Sequence, residues 1–162
     1  MNATRNRTHD RLDAAVYLAG RRRAIVDAAE TALAARAPRY VRPSTESARD
    51  RLDLLYGRLI DVLAGGSPQP LLEHARHVAD SRFHGGYGLG DVQAAYNACE
   101  EAIWNRVLAD GDLERYATVL PFVSSALGAA KDELAREYVK LATGARVPAL
   151  DVTALFEGLE RP

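Results

Sequence analysis

The sequence predicts an all-α fold, a single bundle of about five helices followed by a short C-terminal amphipathic helix. Three observations predict it. Apolar residues recur at i, i+3, i+4 and i+7 in segment after segment, the spacing of one helix face. No stretch alternates apolar and polar residues with period two, and no β-branched run is bounded by hairpin turns. Gly and Pro punctuate the chain at residues 38–43, 65–66, 85–90, 110–112 and 144–148, each a place where a helix can stop. With 162 residues, 48% of them apolar, the chain suits one domain with its own core.

Residues 1–9 are polar and read as a disordered lead, 10–144 as the helical domain, and 145–162 as a tail with a short helix. The first helix covers residues 10–36, with Leu12, Ala15, Val16, Ala19, Val26, Ala29 and Leu33 as its apolar stripe. Gly20, just ahead of three arginines, marks a break point. Ser44 and Thr45 are N-caps for the second helix, whose core face is Ala48, Leu52, Leu55, Leu59, Val62 and Leu63. The third follows Ser67, tolerates Pro68 and Pro70 in its first turn, and turns Leu71, Leu72, Ala75, Val78, Ala79 and Phe83 inward. The fourth, over 91–109, lines Val92, Ala95, Tyr96, Cys99, Ile103 and Val107 along one side.

The fifth and longest, over 113–142, keeps Tyr116, Val119, Leu120, Val123, Leu127, Ala130, Leu134, Tyr138 and Leu141 in register, and Pro121 should kink or divide it. In the tail, Asp151 caps a short helix bearing Val152, Leu155, Phe156 and Leu159. Alone it would be marginal, so it needs its own bundle or a partner to dock on. Short connections favour antiparallel neighbours.

The net charge of −1 hides a gradient: residues 1–60 carry twelve Arg and seven acids, the remainder nine Lys or Arg and fifteen acids. Such an asymmetry favours association of unlike ends. The slightly acidic chain lacks a nucleic-acid footprint. One cysteine, Cys99, permits neither an internal disulfide nor a thiolate metal cage. No secretory leader or membrane-length apolar run is present, and a cytoplasmic location is expected.

Each feature that could carry chemistry has a plainer reading. Gly85, Gly86, Gly88 and Gly90 precede a helix, as in phosphate loops, but no strand precedes them and no Lys-Ser/Thr pair closes the motif; a tight turn is expected. His77 and His84, seven residues apart beside His74, Glu73 and Asp80, are weak metal candidates without His-x-x-x-His spacing. Glu100 and Glu101 are adjacent, so they diverge around the helix and form no facing dyad. Ser124 and Ser125 lie within a helix, and Cys99 falls on an apolar face as a small hydrophobe. Tyr87, Tyr96, Cys99 and Trp104 are a candidate pocket or interface, since Tyr and Trp favour such surfaces. Arg21, Arg22 and Arg23 fan out around the axis and cannot meet one ligand.

The segment from Arg82-Phe83-His84-Gly85-Gly86-Tyr87-Gly88-Leu89-Gly90-Asp91 through Tyr96 to Glu100, Glu101, Ala102, Ile103 and Trp104 resembles the N-terminal domain of the RsbT co-antagonist proteins, the stressosome sensor family. The resemblance spans roughly residues 52–141, with 82–104 distinctive. It implies a globin-like or bundle-like dimeric input domain without enzymatic activity, and no binding residue carries over. The expectation is a non-enzymatic bacterial regulator in stress response or signal transduction, homodimeric, with a regulatory protein partner and no cofactor, nucleic acid or membrane. A small-molecule or haem-binding helical sensor is the alternative, and a metal-binding helical protein the second.

Overall fold

Gly20 and Pro121 divide the first and last of the expected helices, so the described residues form seven. These are α1 (Asn2–Gly20), α2 (Arg22–Arg36), α3 (Ala48–Leu63), α4 (Gln69–His84), α5 (Leu89–Ala109), α6 (Leu113–Tyr116) and α7 (Leu120–Thr143). The structure, a computed structural model, describes residues 2–42 and 46–144, with side chains from Thr8 onward. The amphipathic tail, Val152 to Leu159 included, lies outside the described residues. Among the described residues there is no strand.

Helix ends follow local chemistry. Ser47, rather than an earlier hydroxyl, caps α3: its Oγ accepts from the Asp50 N–H at 3.0 Å and donates to the Asp50 carboxylate at 2.7 Å, satisfying a donor that the first turn leaves open. Ser44 and Thr45 lie outside the described residues. Pro121 sits in the first turn of α7, where its missing N–H costs nothing, which explains why the expected long helix divides there. Gly144 closes α7 at φ 64°, donating to the Lys140 carbonyl at 2.8 Å.

Helix α3 is the hub, packed against α1, α2, α4, α5 and α7, while α4 packs most extensively on α7 and α2 on α5. The expected inward faces of α3, α5 and α7 hold: Leu52, Leu59, Leu63, Val92, Ile103, Val123, Leu127 and Leu134 are 0–1% exposed. Tyr56 reaches across to donate to the Leu18 carbonyl at 2.8 Å, tying α3 to the joint between α1 and α2.

The stripe expected on α1 is the exception. The helical backbone begins at Asn2, inside the stretch read as a disordered lead, and Ala14, Ala15 and Leu18 face the core, whereas Leu12 is 45% and Val16 73% exposed. Ala19 is exposed too. The reason is visible in the polar residues between them. Arg11 donates to the Val62 carbonyl at 2.9 Å and lies 4.0 Å over the Phe122 ring. Asp13 accepts from Arg115 at 2.7 Å, and Tyr17 donates to Asp110 at 2.8 Å while stacking on Tyr116. These side chains carry long apolar stems with polar tips, and they clamp α1 down with its leucine–valine face outward.

Candidate functional site

The turn between α4 and α5 organises one end of the bundle. Gly86 adopts φ 75°, a left-handed conformation that a β-carbon disfavours. With it, the Gly86 N–H reaches the Phe83 carbonyl at 3.0 Å and the Tyr87 N–H reaches the Arg82 carbonyl at 3.0 Å, the paired bonds of a Schellman ending. That ending puts Tyr87 back over the last turn, where the Arg82 guanidinium faces its ring at 5.7 Å. We expect Gly86→Ala to lower stability by about 1–2 kcal/mol, read from chemical denaturation.

Around this turn stands an island of tyrosines and guanidiniums supplied by five parts of the chain. Tyr40, from the segment after α2, meets Tyr87 edge-on at 5.4 Å. Arg51, 5% exposed on α3, lies 4.7 Å over the Tyr40 ring and donates to the Tyr40 carbonyl at 2.9 Å and to the Glu46 carbonyl. Tyr138 of α7 donates to the Tyr87 carbonyl at 3.2 Å and packs edge-on to Phe83. Tyr96 of α5 is 2% exposed.

The phenols feel one another. Burial raises the pKa of Tyr40, opposed by the nearby charges of Arg51 and Arg82. Burial also raises Tyr96, and the Tyr40 phenol adds to it. Tyr138 is pushed to about 12 by burial, with Tyr40 raising it further and Arg82 opposing. All three stay protonated and serve as hydrogen-bonding groups.

Of the residues singled out from sequence, Tyr87 belongs to this island, and Tyr96 is buried on α5. Cys99 is buried in the core with its thiol pushed up to about 12 by burial, a state that suppresses thiolate chemistry. Trp104 is partly buried two turns beyond Tyr96 and points its indole N–H at Ser124 Oγ, 3.5 Å away. About 12 Å of helix separates it from Tyr96, so the four do not line one pocket. Glu101 pairs with Arg36 of α2, and Glu100 lies 3.7 Å from Lys131 of α7, so the two carboxylates do diverge.

The arginine triplet splits as the spacing requires: Arg21 binds Asp110 and Arg22 binds Asp53. Tyr40, Arg51, Arg82 and Tyr138 are the members that sequence reading missed as a site. The usable signal was Arg82 standing four residues before a glycine that needs a left-handed turn.

The histidines separate. His77 and His84 are exposed, with His84 Nδ1 2.8 Å from the Asp80 carbonyl. Among the described residues no group of three His, Cys, Asp or Glu side chains converges. His74 is the half-buried one, its pKa lowered from 6.5 to about 4 by burial, then by Arg58 and His77. The unfolded chain therefore binds a proton that the folded one refuses between those values, and stability falls as pH drops from 6.5 toward 4. The full loss is about 3 kcal/mol. Urea melts across that range should show it, and His74→Gln should flatten the slope. An unchanged slope would place the proton uptake elsewhere.

An open groove of about 230 Å³ lies between α2 and α5, lined by Ala24, Ile25, Ala28, Ala102, Asn105, Arg106 and Ala109. It is smaller than the roughly 300–1,000 Å³ of sites that enclose a drug-sized ligand. No helix among the described residues is long and apolar enough to cross a membrane.

The fold and the island together define an all-helical domain organised around a polar packing centre. Residues 22–147 match the family model of the RsbT co-antagonist protein rsbRD N-terminal domain, and the chain belongs to that family, one of regulatory sensor domains of the stress response. No curated protein and no solved structure matches the chain. The matched span starts at Arg22, the first residue of α2, so α1 with its outward apolar face precedes the family domain.

Proposed function

We infer that this chain is a non-enzymatic regulatory input domain of the bacterial cytoplasm. It acts through protein–protein contacts as a homodimer and passes a change in helix packing to a regulatory partner. The observation that carries the reading is the unpartnered face of α1, with Leu12 45% and Val16 73% exposed one turn apart. Singly exposed apolar residues are ordinary, but a stripe at i, i+4 and i+7 marks an interaction surface. The charge gradient favours a second copy, since the basic first third of one chain meets the acidic remainder of another.

Helix α7 supplies the link. Its 24 residues span about 36 Å. Tyr138 near one end belongs to the island, and Phe122 near the other lies beneath Arg11 of α1. A rigid element touching both can couple them. The non-enzymatic part is supported by the engagement of Glu100, Glu101 and Cys99 in ion pairs and core packing. Sedimentation equilibrium at high micromolar concentration tests the dimer: a twofold mass is expected, and a monomer throughout removes this part of the reading.

A further inference from the structure

The solvent face of α1 continues past the joint onto α2. Arg11 meets the Val62 carbonyl at 2.9 Å, Leu18 accepts from Tyr56 at 2.8 Å, Arg22 meets the Asp53 carboxylate at 2.7 Å, and Asp27 pairs with Arg49. The partners descend along α3 as the residues of α1 and α2 ascend, so both helices run antiparallel to α3 on one line. Only Arg21 interrupts them. The helical phase survives the interruption, because Ala14, Leu18, Ile25 and Ala29 are all buried at the spacing of one helix face.

The same phase lines up a second row. Leu12, Val16, Gly20, Ala24 and Ala28 follow one another at i+4, a ridge of the kind that packs one helix against another. Its first half is bulky, with Leu12 and Val16 exposed. Its second half is small: Ala24 is half-buried and Ala28 exposed, and with Ala102 and Ala109 of α5 they line the open groove of about 230 Å³. Between the halves Gly20 is exposed, and a β-carbon there would meet no atom within 4 Å. Nothing packed on Gly20 within the chain requires the missing side chain, although glycine in a helical run costs conformational entropy.

We propose that two copies of this chain cross antiparallel at Gly20, about a two-fold axis, with the Leu12–Val16 ridge of each seated in the alanine groove of the other. Leu12 of one copy then meets Ala28 of the other, Val16 meets Ala24, and Gly20 meets its own counterpart, since the members of each pair lie equally far on either side of the axis. Large residues face small ones throughout, and the bare backbone at the crossing lets the helices close up. Rows at i±4 on both helices interdigitate at a crossing angle of about −50°. A two-fold contact must be self-complementary, and the ridge and the groove on one chain make it so. Charge agrees: residues 2–9 include Arg5 and Arg7 and no acid. The crossing lays that part of α1 over the end of α2 and over α5 of the other copy, where Asp27, Glu30 and Glu101 outnumber Arg36 and Arg49. The inference rests on the homodimer reading and specifies its surface.

Cysteine cross-linking of the full chain tests the crossing, with mass from sedimentation measured beside it. Cys99 is buried and does not compete. Under mild oxidation Gly20→Cys should give a covalent dimer. So should the double variant Val16→Cys with Ala24→Cys, whose thiols stand about 12 Å apart along one chain and cannot close on each other. Val16→Cys alone should stay unlinked, because the two copies of residue 16 lie about 12 Å apart along the crossing, and so should Leu54→Cys, exposed on α3. Ala24→Leu fills the groove and should weaken the dimer at least about tenfold. Adding Val16→Ala in the same chain should restore it, because bulk removed from the ridge matches bulk added to the groove. A dimer by mass that cross-links at neither predicted position, or that Ala24→Leu leaves unchanged, overturns the crossing and leaves the homodimer reading standing. A monomer at high micromolar concentration removes both.

Discussion

Leu59→Ala should lower the stability of the domain by about 2–5 kcal/mol. Leu59 is 0% exposed in the middle of α3, and α3 is the helix that touches α1, α2, α4, α5 and α7. A side chain enclosed from so many directions leaves a void that cannot collapse toward any one neighbour without opening a gap beside another, so the transfer and cavity terms add. The control is on the same helix: Leu54→Ala, 41% exposed, should cost within about 1 kcal/mol. Urea denaturation measures both, and an unchanged m value shows that the fold, not the unfolded chain, is affected. A loss below about 1 kcal/mol at Leu59 would mean that α3 is not the hub.

That stripe was readable from sequence for a physical reason. Leu52, Leu55, Leu59, Val62 and Leu63 form a broad apolar face on a helix whose opposite side carries Asp53 and Asp61, so period and polarity agree. On α1 they disagree. Leu12 and Val16 form one apolar line and Ala14 and Leu18 another, and spacing alone does not say which line meets the core. The choice was made by Arg11 and Tyr17, residues that sequence reading places in solvent but whose tips find the Val62 carbonyl and Asp110.

The island was hidden for the same reason. Arg51 and Arg82 look like solvated charge until tertiary contacts supply backbone carbonyls and tyrosine faces for them. Tyr40 comes from a Pro-flanked segment with no helical period to place it. What sequence did expose was the turn that builds this end: the glycines and Tyr87, whose conformational demands are local.

The family match over residues 22–147 makes α1 the helix to perturb, since the other described helices fall within the shared domain. If the chain forms the proposed dimer, Val16→Asp should dissociate it without unfolding the chain. At 73% exposure the substitution meets water in the monomer, where a surface change is worth within about 0.5 kcal/mol, and Val and Asp have similar helix propensities. In a two-fold contact the same position is altered on both sides. Each copy loses a buried valine, about 1.5 kcal/mol, and gains a carboxylate whose desolvation costs a further 1–3 kcal/mol or so.

Doubled, these losses weaken the dimer at least about a thousandfold, enough to leave monomer at tens of micromolar in sedimentation experiments. Leu108→Asp, on α5 at 52% exposure, is the matched control and should keep the parent mass. A dimer that survives Val16→Asp and falls apart with Leu108→Asp would move the contact from α1 to the α5–α6 corner, and α7 would then no longer be the element joining the island to the interface.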